Sequence, residues 1–443
     1  MKGRYYASIV VFLTSLALLL LTLVDICRGF LFTHYLKIGR PSVLFNLNMG
    51  HLPMILVAGL GLWMTYRYWL KIEKQMAESR INLKVIASVM AIVMSIFLVI
   101  DLFVYRGIAV SRILASGKLG LGPGTLGMSW GIPVGSFPGW LQPAAEAVNY
   151  VLINWQATLL GVLIGSLFLV AGLELVKRMK GTGFKAHLLG AAVAIPQPFC
   201  ACCASPVGSA MFSRGASLGP VLAFVVSAPM LNITGLILAA TLLPTKFALL
   251  RIIGGVIAGV FLTYGVSLLA SRWLAKDEVK TEAKLSWPYR WSAQLVELFN
   301  QLFRFETCLA DDSADSPARL ISSWLRVMGR LASVIVPVFL IGSIIVAYVV
   351  QVMPTSGNNM LGVIVTSFFS TLFMVPTWTE IPLASGLIAK VLGGLAAVSL
   401  IALPAVNIPS LVVIGGAFKS WKVPVALGLA VFAAGIVAGL IFL

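Results

Sequence analysis

CACCASP, running from Cys200 to Pro206, decides how this chain is read. Three cysteines in four positions, followed by a proline, stand between two hydrophobic stretches. Proline removes a backbone donor and clashes with the preceding turn, so a regular transmembrane helix is not expected to pass undisturbed. Broken backbone survives inside a bilayer only where protein buries it or a water-filled cavity borders it. The expectation is three thiols at a gap in a membrane scaffold, facing a solute pathway rather than lipid.

The surrounding composition supports a membrane setting. Of 443 residues, 59% are apolar and only 11% charged, and the mean hydropathy is +0.99. That balance exceeds the needs of a soluble domain and suits a polytopic helical protein. The first apolar run, Ala7 to Val24, is long for a signal peptide and is followed by VDICRGF rather than a small-residue cleavage site. It reads as a retained first helix.

The net charge of +17 comes from 32 basic and 15 acidic residues. The basic residues are scattered through short loops, which favours topology signals and lipid headgroup contacts over nucleic-acid binding. Most of them fall at the N-terminus, in 66–84, 177–187 and 272–330, and at Lys419 and Lys422. Fewer fall on the opposite side, which includes Arg106, Lys246 and Arg251. The bias predicts a cytoplasmic N-terminus. Cys27 and Cys308 lie far from the cluster and on opposite sides in this scheme, so no disulfide framework is expected.

The expected fold is all-α, with about nine crossings near 7–27, 53–70, 84–105, 151–175, 217–243, 247–271, 331–353, 391–414 and 424–443. Two further apolar stretches, His187–Arg214 and Met360–Lys390, are interrupted by prolines and polar residues and read as re-entrant hairpins. The two resemble each other. Pro206 is followed by Arg214 and then by SAPMLN; Pro382 is followed by Lys390 and then by ALPAVN. Pro206 and Pro229 are 23 positions apart, Pro382 and Pro404 are 22, and each second proline is followed three positions on by asparagine. The charge-derived topology makes these repeats inverted, an architecture of secondary transporters. The expected organisation is a three-helix unit (1–105), an extracytoplasmic Gly-rich loop (106–150), a first repeat (151–271), a cytoplasmic amphipathic connector (272–330) and a second repeat (331–443).

At CACCASPVGSAMFSRGASLGPVLAFVVSAPMLN the chain resembles the bacterial permease family that includes the organoarsenical efflux permeases. The resemblance rests on Cys200, Cys202, Pro206, Arg214-Gly215-Ala216-Ser217, Ala223-Phe224, Pro229 and Asn232, and extends to PTWTEIPLA and LPAVN in the second half. It covers about 150–443 and implies a permease that extrudes trivalent organoarsenicals. Cys203 departs from the pattern by adding a third thiol where the family is expected to carry a small residue.

Thiols select soft trivalent metalloids over hard cations. A monomethylated species exchanges two hydroxides for sulfur, and an inorganic one exchanges three. Cys200 with Cys202, Cys200 with Cys203, or all three together can serve. No histidine lies beside them, and the three histidines of the chain show no ligand spacing. Glu380 is the one acid in either hairpin and is expected to carry a coupling proton or a gating charge. Thr377, Trp378 and Thr379 are expected to line the opposing wall. Asn232 and Asn407 suit broken-helix junctions, where their amides satisfy freed backbone groups or contact substrate. Arg214 and Lys390 hold matching positions at the hairpin ends, as anchors or gating charges.

The function expected is ion-gradient-driven efflux of a thiol-reactive trivalent metalloid or organometalloid, without enzymatic activity and without a cofactor. The partners expected are the small solute, a coupling ion with the proton as candidate, and membrane lipid. No GxxxxGK[ST] loop for ATP occurs. Two alternatives are a permease for a sulfur-containing anion and a membrane thiol-redox protein. Oligomeric state is not legible.

Overall fold

The computed structural model describes residues 2–28, 47, 49–78, 81–116, 132–197, 199–279, 314–351, 357–373, 380–418 and 420–443. These are helical throughout, with no strand among them. An N-terminal unit holds α1 (Lys2–Arg28), α2 (His51–Glu78) and α3 (Leu83–Ser116). Then come α4 (Gln142–Ala171) and the short α5 (Leu173–Arg178).

In α2 the buried residues His51, Ala58, Thr65, Trp69 and Met76 recur at sevens and fours, so they form one stripe. That stripe packs on α1: Phe12 meets the Trp69 ring with centroids 4.8 Å apart, and Trp69 Nε1 donates to Ser8 Oγ at 2.8 Å. The rest of α2 exposes Leu56, Val57, Leu60, Trp63 and Met64. A helix apolar on both its packed and its open faces needs lipid as its outer solvent.

The helices after α5 fall into two series of the same order. The first is α6 (Phe184–Ala194), a break, α7 (Ala201–Ser213), a tight turn, α8 (Leu218–Met230), a break, α9 (Ile233–Leu242), then α10 (Thr245–Val256). A π-helical turn at Ile257–Leu262 carries α10 into α11 (Thr263–Val279). After the long α12 (Pro317–Gln351), the second series is α13 (Met360–Leu372), α14 (Glu380–Ala389), α15 (Gly393–Ala405), α16 (Ile408–Ala417) and α17 (Lys422–Ile441). The packing repeats too: α6 lies on α8 and α13 on α15, while α7 pairs with α8 and α14 with α15. Between the series the contacts are reciprocal. Helix α7 packs on α16, and α14 packs on α9.

Around this pair of series, α4 and α12 run against each other, joined by Trp324 Nε1 donating to the Leu163 carbonyl at 3.1 Å. The π-turn is used as well. His187 Nε2 lies 2.8 Å from the Val260 carbonyl and 3.1 Å from Thr263 Oγ1, tying α6 to it.

Six described helical stretches are long and apolar enough to cross a bilayer: Lys2–Ile26, Leu83–Val104, Leu218–Leu242, Thr245–Arg272, Gly393–Ala417 and Lys422–Ile441. They coincide with six of the nine expected crossings. The expected crossings at 53–70, 151–175 and 331–353 fall on α2, α4 and α12, which are helical but not among the six.

Candidate functional site

The helix break beside the thiols ends six residues before Pro206. Residues 195–197 and 199 lie outside the helices, Cys200 is the extended N-cap residue of α7 (φ −78°, ψ 163°), and Pro206 sits inside that helix. The cysteines are therefore the cap and first turn of a half-helix, not the gap itself. An N-cap residue points back across the first turn, and the result is a compact cluster. Cys200 Sγ lies 2.9 Å from Cys202 Sγ and 2.9 Å from Cys203 Sγ. All three sulfurs fall within 4.8 Å of one another. Cys202 and Cys203 are 5% and 4% exposed, whereas Cys200 is half-buried. None of the three is in a disulfide.

The wall behind Cys203 is the backbone of α4. A Cβ added at Gly161 would stand 3.2 Å from Cys203 Sγ. Glycine there lets α4 approach the sulfur directly, a role that the sequence alone does not signal.

Glu380 opens α14 and is 1% exposed. Its Oε1 accepts from Arg251 Nη2 at 2.9 Å. Arg251 was expected among the basic residues at the outer membrane edge. Instead it is fully buried on α10, because it has work to do at both helix breaks. Its Nη2 also donates to the Pro229 carbonyl at 2.9 Å, and its Nη1 donates to the Leu400 carbonyl at 2.6 Å. Leu400 is four residues before Pro404, which has no N–H to close the helical bond. The guanidinium supplies the missing donor, and its planar fork suits several acceptors at once. One side chain thus joins the broken helix of the first series, the broken helix of the second, and the acid of the second hairpin. A count of loop charges treats every arginine as a surface residue, so the pairing went unread.

Asn232 and Asn407 are N-caps, as their place after proline suggested. Asn232 Oδ1 accepts from Gly235 N at 2.6 Å. Asn407 Oδ1 accepts from Ser410 N at 2.9 Å, and Ser410 Oγ accepts from Asn407 N at 2.9 Å, completing a capping box. Arg214 Nη1 donates to the Leu169 carbonyl near the C-terminal end of α4, where a cation complements the helix dipole. Lys390 is exposed. Thr377, Trp378 and Thr379 lie outside the described residues, as does Cys308. The N-terminal unit holds a pair that the histidine spacing gave no sign of: His51 Nε2 lies 2.9 Å from Asp25 Oδ2, both buried.

An all-helical chain with outward apolar faces and buried charge at its helix breaks is a multi-pass membrane protein. Residues 141–442 match the family model ArsP_1, described as a predicted permease, and the chain belongs to that family. It is similar to the UPF0718 protein YraQ of Escherichia coli (strain K12), 27% identical over 289 residues that cover 63% of this chain and 75% of the relative. It is also similar to the UPF0718 protein MJ0584 of Methanocaldococcus jannaschii, 22% identical over 286 residues that cover 55% of this chain and 78% of the relative. No solved structure matches it significantly. Membership of a permease family implies a small-molecule solute and a transporter rather than an enzyme.

Proposed function

We propose that this permease is secondary-active and moves a small thiol-reactive solute, a trivalent metalloid or organometalloid, out across a bacterial inner membrane with its N-terminus cytoplasmic. The observation that carries this reading is the convergence of three thiol sulfurs within 4.8 Å at the start of a half-helix. Among the described residues the ligand cluster is sulfur alone, and soft ligands favour a soft solute over a hard cation. The reciprocal packing of α7 on α16 and of α14 on α9 supports two inverted repeats whose broken elements meet at the solute site. In this reading the segments holding α7 and α14 are re-entrant hairpins, and α4 and α12 are crossings.

Glu380 carries the coupling proton. Neither α9 nor α15, the helices packed on α14, bears an ionisable residue. Arg251 on α10 is the described charge facing the carboxylate. Protonation of Glu380 removes the attraction that helps to hold Arg251 between the two broken helices, and so links proton binding to movement of one repeat against the other.

The test is flux of trivalent arsenicals into everted vesicles, with Cys200→Ser, Cys202→Ser and Cys203→Ser beside the unaltered protein. Loss of flux in the serine variants supports the thiol site. Full flux in all three would remove it. Glu380→Gln is expected to abolish flux driven by a pH gradient while solute binding persists.

A further inference from the structure

The three sulfurs form a triangle rather than a pair. We propose that the cluster takes a trivalent pnictogen oxyacid, a solute with three exchangeable oxygen ligands such as arsenite or antimonite, as a three-sulfur adduct. Cys203 is then the residue that separates such solutes from organic derivatives with only two exchangeable positions. This deepens the thiol-solute reading above and rests on it.

Three observations carry the inference. Cys200 Sγ stands 2.9 Å from both of its neighbours, so no two of the thiols form a pair from which the third is left out. Three bonds of about 2.3 Å from one pyramidal centre set their sulfurs about 3.4 Å apart, between the 2.9 Å of the two Cys200 contacts and the 4.8 Å that bounds the third. Side-chain adjustments of a few tenths of an ångström at Cys200 open its two contacts to that spacing. The third observation is closure on the far side. The bare backbone of Gly161 lies against Cys203, so α4 backs the third sulfur with no side chain of its own at that position. The fourth position of a trivalent pnictogen holds a lone pair and needs no protein ligand.

Capture follows from the difference in exposure. Cys200, half-buried, meets the solute first, and the more enclosed Cys202 and Cys203 follow. In each step an S–H and an element–OH bond break, an element–S bond forms, and the proton leaves with the hydroxyl as water. Three such exchanges release three waters with no change of oxidation state, and hydrolysis on the far side of the membrane reverses them. No oxidant, reductant or second metal is required.

The probes are arsenite, with three exchangeable positions, and phenylarsine oxide, with two. Each is measured for binding to the purified full-length protein and for flux in everted vesicles. The sulfur count around bound arsenic is read by X-ray absorption. The unaltered protein is expected to bind arsenite through three sulfurs. Cys203→Ser is expected to weaken arsenite binding at least about tenfold while phenylarsine oxide, which needs only Cys200 and Cys202, is still held. That retained binding also reports that the variant is folded. Two sulfurs around arsenic in the unaltered protein, or equal arsenite binding in Cys203→Ser, overturns the three-sulfur adduct while the thiol-solute reading stands. Failure of both probes to bind or move overturns both.

Discussion

Gly215 and Val391 occupy the same backbone position in the two hairpins, each with positive φ, 91° and 61° respectively. They stand at equal distances from Pro206 and Pro382 and end α7 and α14 in the same way. Gly215 N donates to the Phe212 carbonyl and Ala216 N to the Met211 carbonyl; Val391 N donates to Ile388 and Leu392 N to Leu387. This is the paired bond of a Schellman cap. A repeat seen as a spacing of prolines and asparagines thus extends to the hydrogen bonds of a single turn. One member has the residue suited to that turn, and the other has a β-branched residue, among the worst suited.

Val391→Gly should therefore stabilise the protein. Left-handed backbone costs a residue with a Cβ about 1–2 kcal/mol. Glycine gives back about 0.5–1 kcal/mol through its freer unfolded chain. The net expectation is a gain of about 0.5–1 kcal/mol, seen as a small rise in Tm of detergent-purified protein. The reciprocal Gly215→Val should lower Tm. The Cβ at 215 would meet Lys180 Cε at 3.3 Å, the far end of a flexible chain, so backbone strain and not a clash sets the loss. Equal Tm values for both variants would show that the two turns are not strained alike.

Arg251 and Glu380 make the second prediction. Removing one partner of a buried pair leaves an uncompensated charge, at a cost of about 3–5 kcal/mol. Arg251→Gln and Glu380→Gln should each lower Tm sharply, and the double variant should lose less than the sum of the two. Arg251→Lys should behave more like Arg251→Gln than charge conservation suggests. An ammonium lacks the planar fork that reaches Glu380, Pro229 and Leu400 together. Simple additivity in the double-mutant cycle would refute the coupling.

Legibility in the sequence divided along physical lines. Turn and cap chemistry is local, so Pro-x-x-Asn marked the two helix breaks at which Asn232 and Asn407 are N-caps. Apolar run length placed six crossings. Pro206 misled, because a proline can remain inside a helix when the true break precedes it, and the thiols proved to be cap and first turn. Partnerships between distant residues were invisible. Arg251 and Glu380 are 129 positions apart, and Asp25 with His51 join two helices across an intervening segment. Nothing in composition or period identifies which buried cation meets which acid.

The capping asparagines should differ in weight. Loss of an N-cap acceptor costs about 1 kcal/mol. Asn232→Ala loses that bond and the donation of Asn232 Nδ2 to the Pro229 carbonyl at 3.0 Å, which Arg251 also serves. Asn407→Ala loses the acceptor for Ser410 N, but Ser410 Oγ still accepts from the backbone of residue 407. Asn232→Asp is the sharper probe: it keeps the cap acceptor and removes the donor. If Tm for Asn232→Asp matches the unaltered protein, the donor side of that amide contributes nothing.

Close helix approach gives the last prediction, with an internal contrast. Gly190 on α6 faces the backbone of Pro220 on α8; an added Cβ would lie 2.2 Å from the Pro220 carbonyl oxygen and 2.8 Å from its Cα. Backbone inside a helix has no rotamer by which to give way, so α6 must lift from α8. That movement would disturb the His187 contact with Val260 on the π-turn. Gly59 on α2 has nothing within 4 Å of the same added atom. There alanine only removes the helical penalty of glycine, about 0.8–1 kcal/mol. Gly190→Ala should thus deplete the monodisperse peak in fluorescence-detected size exclusion, while Gly59→Ala should raise the temperature at which that peak is lost. Were Gly190→Ala tolerated as well as Gly59→Ala, α6 and α8 would not be in backbone contact, and the hairpin packing that places α7 against α16 would need redrawing.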